Sequence, residues 1–372
     1  MSASRATFPP VLSRSDGPQL VSMHSDTCAE SVKAVEELRP AWESLPAASP
    51  MQSFIWAQAC AQAFPNAGLR IVSAGEPRPR AIAAFIASPD SAALIPLGAE
   101  LYEPTEFAYA DDGAAEELSE LIVRLKEPVL IRDMPADSII VESLRRFGGR
   151  RLVTSPSGGR PWLELDDSWL EPESHLNSGR RSDLRRALRN AEKQGPVRCE
   201  ITTPTQETLA PLLHDAFRVE AAGWKGDQGS ALATDPQVGA FYTKLAQAAC
   251  QRGILRIGML RIGDHPAAMQ LAIERDGCLW LFKMGFDESF ARFSPGTLLM
   301  VESLRSARQR GCNRYELMGK SEAWNRIWAP RLHESVSLNL CAPTLRGWVN
   351  VVAEHAKGAI KTQLRGGMES SS

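Results

Sequence analysis

The sequence predicts an α+β protein built twice over, as two tandem domains that each hold a mixed, mostly antiparallel sheet flanked by helices. Three observations carry that expectation. Short apolar runs of strand length alternate with stretches of helical period along the chain. Residues 254–286 hold three consecutive strand-like runs joined by the tight turns "GDHP" and "DG", the pattern of an antiparallel meander. The element order of the first half then returns in the second, although no residue identity aligns the two.

Each element has its own local signal. Residues 1–25 are polar, broken by Pro9, Pro10 and Pro18, and lack the apolar core of a signal peptide, so a disordered leader is expected. Asp26 or Thr27 can cap a helix reaching about Leu45, with Val32, Val35, Leu38 and Trp42 on one face. A second helix fits 55–64 and is cut off by Pro65. Apolar runs at 69–74, 81–87 and 92–97 read as strands, followed by a helix at 116–126, a strand at 129–131, a helix at 138–147 and a strand at 151–154. Residues 26–165 form the predicted N-terminal domain. The stretch 155–175, with Pro156, Gly158, Gly159 and Pro161, reads as a crossing between halves.

The predicted C-terminal domain, 175–345, opens on the basic helix "NSGRRSDLRRALRNAEKQG", whose apolar edge is Leu184, Leu188 and Ala191. A strand at 197–202, a helix at 207–222, the loop "GWKGDQGSALATD" and a helix at 236–251 lead into the meander. A helix at 297–310 stopped by Gly311, a strand at 314–318, a short helix at 322–328 and a strand at 335–340 follow. Residues 346–372 make a tail with an amphipathic helix at 348–364.

Composition narrows the classes. The 372 residues carry a formal net charge of −2, with 44% hydrophobic and 23% charged residues, an ordinary water-soluble balance that argues against a general nucleic-acid or membrane coat. No stretch approaches the roughly 20 apolar residues of a membrane span. Cys28, Cys60, Cys199, Cys250, Cys278, Cys312 and Cys341 are scattered and odd in number, which favours a reducing compartment without disulfides or zinc. Cytoplasm is the expected location. "MGKS" at 318–321 ends like a phosphate loop, but Arg314 stands where its first glycine belongs. The six histidines have no metal spacing, and no metal is expected.

The most informative stretch is "LFKMGFDESFARFSPGTLLMVESL", residues 281–304. A strand gives way through Ser294-Pro295-Gly296 to a helix N-terminus, where unpaired N–H groups and a partial positive charge suit phosphate oxygens. Gly296 allows close backbone approach, Ser294 adds a hydroxyl, and Arg292 can pair with an anion. The same residues also make an ordinary capped helix start.

The combination of "RRSDLRRALRNAEKQGPV", "EAAGWKGDQGSAL", "FYTKLAQAACQRGILRIGMLRIGDHPAAMQLAI", "LFKMGFDESFARFSPGTLLMVESLRSARQRG" and "YELMGKSEAWNRIWA" resembles the GNAT acyltransferases. It is most similar to the CelD/BcsL-like, cellulose-biosynthesis-associated branch, related to the duplicated FemAB-type folds. The resemblance implies two tandem GNAT-like domains and an N-acyltransferase moving an acyl group, acetyl first of all, from acyl-CoA to an amine. It also implies an acceptor such as an amino sugar or a cell-envelope or exopolysaccharide precursor. Its donor site would use Gly285, Arg292, Ser294, Gly296 and Thr297, with the thioester carbonyl accepting from backbone N–H groups near 283–286. Asp287, followed by Glu288, is placed to accept the amine proton and Lys283 to orient an acid or an anionic acceptor. Trp224, Lys225, Gln270, Arg181 and Arg185 are the candidate acceptor contacts, each with a bland alternative as loop anchor, core amide or solvated basic face.

Two departures stand out. The usual R/Q-x-x-G-x-G/A loop is replaced by Arg292-Phe293-Ser294-Pro295-Gly296, which removes donors. Residues 321–329 hold no tyrosine of the kind that reprotonates a leaving thiolate. An aminoacyl-tRNA donor, as in the FemAB relatives, and a non-catalytic glycan- or partner-binding role are the competing readings, the first resting on the arginine stripe of Arg181, Arg185 and Arg189.

Overall fold

The order of the strands reads almost the same from either edge of the sheet. The computed structural model describes residues 21–25, 27–64, 68–223, 235–319, 324–328 and 331–344. The first half supplies β1 (Val21–Ser25), α1 (Cys28–Glu37), α2 (Arg39–Ser44), α3 (Phe54–Ala63), β2 (Leu69–Ala74), β3 (Ala81–Ala87), β4 (Leu94–Pro96), β5 (Ala108–Tyr109), α4 (Asp112–Val123), β6 (Val129–Pro135), α5 (Ile139–Gly148) and β7 (Leu152–Glu164). The second supplies α6 (Ser178–Glu192), β8 (Val197–Thr202), α7 (Gln206–Ala221), α8 (Pro236–Gln251), β9 (Leu255–Ile262), β10 (His265–Arg275), β11 (Cys278–Phe286), α9 (Pro295–Gln309), β12 (Arg314–Leu317) and β13 (Arg331–Leu340).

These strands make one mixed, mostly antiparallel sheet, ordered β1-β2-β3-β4-β6-β13-β7-β12-β11-β10-β9-β8, with β5 paired to β3. Each half runs inward from its own edge, and the two halves exchange their last strands. β13 lies antiparallel between β6 and β7, while β7 crosses to pair with β12. The exchange explains the largest departure from the sequence reading. The stretch expected as a crossing from 155 onward is the body of β7, held by β13 from Leu340↔Leu152 to Arg331↔Trp162. A register shift opposite Ser335 and Val336 falls between Pro156 and Gly158, where a proline without an N–H is tolerated.

Other boundaries moved for local reasons. The expected helix to Leu45 breaks at Leu38, before the Pro40 that opens α2. Thr27 and Glu30 close a capping box at its start. Residues 21–25, read as leader, pair antiparallel with β2. Residues 324–328 form turns where a short helix was expected, and the predicted helix at 348–364 lies outside the described residues.

α3 is apolar nearly all round and correspondingly buried. It packs on α8 across the middle of the molecule, with Trp56 edge-on to Phe241 at 4.8 Å between ring centroids. Together with α7, these helices cover one face of β9–β11, while α6 and α9 cover the other. Among the described residues no helix is long and apolar enough to cross a membrane.

Candidate active site

β11 pairs in parallel with β12 only from Cys278↔Arg314 to Leu281↔Leu317. Met318 N still donates to Leu281 O at 3.1 Å, and there the described pairing ends. β11 runs on to Phe286 beside β10 alone, so its other edge lacks a strand partner among the described residues. At the same level its register with β10 skips Phe282, passing from Ala272↔Leu281 to Leu271↔Lys283.

That one-residue bulge resets the alternation of side chains. Phe282 stays on the α3–α7–α8 face, its ring 5.5 Å from Trp56, and Lys283 now shares that face. The Lys283 ammonium lies 4.9 Å above the Tyr242 ring, a cation–π contact. Gly285 follows on this face, and a Cβ there would stand 3.1 Å from Glu220 Cα. Its bare backbone therefore admits α7.

The chain beyond β11 tightens at once. Asp287 Oδ1 accepts from Ser289 N at 2.9 Å and Ser289 Oγ at 2.6 Å, capping a 3-10 helix at Glu288–Phe293. Ser294 then takes a left-handed conformation, φ 47°, and caps α9 through its backbone, with Thr297 N and Leu298 N donating to its carbonyl at 3.0 and 3.1 Å. Pro295 has no N–H. Gly296 N–H is therefore the first-turn donor left without a protein acceptor among the described residues. Gly296 is buried, and a Cβ would meet Phe286 Cδ1 at 3.4 Å, so its smallness seats the helix on β11. Arg292 is exposed, its guanidinium 4.6 Å from the Phe293 ring centroid, and Ser294 and Thr297 are exposed beside it.

The remaining predicted contacts scatter. α6 packs against the 288–293 turn and carries Arg181, half-buried, with Arg185 and Arg189 exposed. Gln270 is buried beneath α9, its amide nitrogen 3.6 Å from Met300 Sδ. Trp224 and Lys225 lie outside the described residues.

Sequence reading missed a polar seam on the Lys283 face. Tyr242 OH donates to Glu103 Oε1 at 3.3 Å, and burial beside Glu103 pushes its phenol well up. Arg160, 9% exposed, reaches Tyr102 O at 3.2 Å and Asp133 at 3.5 Å. Glu316, 4% exposed, meets His333 Nε2 at 3.1 Å and Arg314 Nε at 3.3 Å. His333 stacks on Trp162 with centroids 4.9 Å apart. Burial first, then Glu316 and Asp137, hold the Glu106 carboxyl at about 7 against the opposing pull of Ser49 and His333. The seam joins residues far apart in sequence; its sole local trace is Glu316, a charge between Tyr315 and Leu317.

The bulge and gap in β11, the turn and α9 all fall within one segment that has a known counterpart. Residues 178–326 match the acetyltransferase (GNAT) domain. No curated protein matches the chain. Solved structures share its fold across nearly their whole length. A C-terminal domain described as that of a lysylphosphatidylglycerol synthetase from Agrobacterium fabrum superposes with a TM-score of 0.54 at 11% identity, covering 88% of this chain and 95% of that one. FemX gives 0.53 at 11% identity, covering 86% and 96%. L-PGS from Bacillus licheniformis gives 0.51 at 10% identity, covering 89% and 96%. The GNAT match takes in Lys283, Glu316 and α6, whereas Glu103, Glu106, Arg160 and His333 lie outside it.

Proposed function

We propose that this chain is an N-acyltransferase that moves an acyl group, acetyl in the first instance, from acyl-CoA to an amine at the gap between β11 and β12. The observation that supports it is the edge of β11 beyond Leu281, without a strand partner among the described residues and lying beside the first turn of α9. In this reading backbone N–H groups along 283–286 polarise the acyl carbonyl, which the donor supplies as an activated thioester. Gly296 N–H, the hydroxyls of Ser294 and Thr297, and Arg292 hold the diphosphate. Gly285 keeps α7 close behind the carbonyl site. Lys283, pinned over Tyr242, orients the acceptor, and Asp287 shapes the turn while standing as one candidate for the amine proton.

The acceptor is an amine on an amino sugar or on a cell-envelope or exopolysaccharide precursor, in keeping with the CelD/BcsL-like resemblance. Trp224, Lys225, Arg181 and Arg185 are its candidate contacts. The test is calorimetric titration of the full chain with acetyl-CoA, followed by thiol release with a panel of amino sugars. Saturable binding and acceptor-dependent release are expected, and the absence of binding would overturn the donor assignment.

A second reading has a specific observation in its favour. A first turn with one N–H unused among the described residues is a sparse cradle for a diphosphate, and α6, which carries the arginines, packs against the 288–293 turn beside it. An aminoacyl-tRNA donor fits that pairing. It predicts that charged tRNA is retained at moderate salt and lost when Arg181, Arg185 and Arg189 are together changed to Gln. Retention unaffected by that change would sink it.

A further inference from the structure

We propose that Glu220, on the last turn of α7, receives the acceptor's amine and takes up the proton it loses. The inference rests on the acyl-transfer reading and adds the proton acceptor to it. In the transfer, the neutral amine nitrogen bonds to the acyl carbon while the carbon–sulfur bond breaks. The nitrogen's proton passes to a carboxylate oxygen of Glu220, and solvent protonates the departing thiolate. Glu220 returns its proton to solvent between turnovers.

The pattern of α7 sets this residue apart. Its buried stripe includes Leu209, Leu213, Ala216 and Glu220, the spacing of one helix face turned to a core. The first three pack with β9–β11 in a single apolar cluster. The fourth is a carboxylate where the stripe would take another aliphatic side chain, and it is 1% exposed. Packing alone does not repay the burial of such a group, so the position implies a polar task.

Three contacts fix where the carboxylate stands. A Cβ on Gly285 would lie 3.1 Å from both Cα and Cγ of Glu220, so the Glu220 side chain crosses directly over β11 beyond Leu281. A Cβ on Gly223 would lie 2.8 Å from Phe286 O, and Ala222 O accepts from Glu288 N at 3.2 Å. The end of α7 is thus seated against the end of β11, and two residues without side chains make room for it. Lys283 shares the face of Gly285, and its ammonium above Tyr242 supplies a positive neighbour. The Tyr242 phenol, pushed well up by burial first and then by Glu103 and Glu220, belongs to the same group.

The arrangement suits attack. An acyl carbonyl held by N–H groups at the edge of β11 lies near the plane of the sheet, whereas Glu220 stands over one face. A nitrogen bonded to Glu220 therefore meets the acyl carbon from that face, clear of the hydrogen bonds that polarise the oxygen. Shielding from bulk water strengthens the bond between amine and carboxylate. Asp287, the alternative, already spends one carboxylate oxygen on Ser289.

The experiment measures thiol release by the full chain with acetyl-CoA and the amino sugar that wild type acylates fastest. Glu220→Gln is expected to lose about 100-fold in kcat/KM for the amine while its calorimetric affinity for acetyl-CoA stays unchanged. Glu220→Ala should regain rate as formate is added, because formate can occupy the vacated space; Glu220→Gln should not, because its amide fills that space. Glu220→Asp keeps the charge on a shorter arm and guards against a variant that fails to fold. It should bind acetyl-CoA as wild type does and lose about tenfold in kcat. A wild-type kcat/KM in Glu220→Gln, or no response of Glu220→Ala to formate, overturns this inference and leaves the transfer reading intact. So does loss of acetyl-CoA binding together with activity in all three variants, which would make Glu220 a packing residue. A wild type that binds acetyl-CoA but acylates no amine overturns both.

Discussion

Helices α4 and α9 hold the same place in the two halves, and their first turns are opposite in character. Each follows a meander and feeds a strand parallel to the meander's last member, β6 beside β4 and β12 beside β11. Asp111 caps α4, its Oδ1 accepting from Ala114 N at 3.0 Å, and Asp112 adds a second carboxylate. α9 has no acid in its first turn, and Ser294 makes no side-chain capping bond. The gaps behind them differ in the same sense. In the first half the chain fills its own gap, with Thr105 N donating to Asp133 O at 3.3 Å and Leu101 and Phe107 buried nearby. In the second half the edge of β11 has no such filler among the described residues. One copy of the arrangement has thus been closed with its own backbone and a negative cap. The filling segment also carries Glu103, whose Oε1 accepts from Tyr242 OH at 3.3 Å.

The comparison breaks most severely at Gly285. Gly285→Val sets a branched side chain against Glu220 on a helix that cannot yield without moving α7. A loss of about 2 kcal/mol is expected from overpacking, read as a lower urea midpoint with an unchanged slope. An undiminished midpoint would show that α7 sits more loosely than the close approach implies. A smaller and sharper change is Ser294→Asp, which gives α9 the charge pattern of α4 in a left-handed position that Asp tolerates. Acetyl-CoA affinity should fall about tenfold, while stability holds or rises because a carboxylate at a helix N-terminus is favourable. Unchanged affinity would mean that the donor's phosphates are held elsewhere.

Much of the fold was legible because it is local. Leu69–Ala74, Ala81–Ala87, Val197–Thr202, Pro236–Gln251 and Cys278–Phe286 stand where alternation, helical period and caps put them. The meander was readable from Asp276-Gly277, whose φ values of 49° and 73° suit a tight hairpin. What escaped was set at long range. β7 runs through two prolines because β13, more than 160 residues later, pairs along it. The site divided in the same way. The turn from Asp287 to Thr297 announced itself through Ser294-Pro295-Gly296, whereas the bulge at Phe282 is a property of register with β10 and left no mark in composition. Glu106 and His333 carry no motif. Strand exchange brings His333 to Glu316.

The mildest test of the comparison lies on the closed side. Asp111→Ala removes the side chain that accepts from Ala114 N and also pairs with Arg80. Loss of a helix cap costs about 1 kcal/mol, and the exposed ion pair adds little to that. Chemical denaturation should register the change, and acetyl-CoA titration should not, because α4 opens onto a gap already bonded shut between Thr105 and Asp133. The control has a direct counterpart in Ser294→Asp: one variant removes a negative cap from the closed half, the other adds one to the open half. If Asp111→Ala instead created a second acetyl-CoA site or raised the stoichiometry, the first gap would have been guarded by charge rather than filled by chain, and both halves would count as binding units.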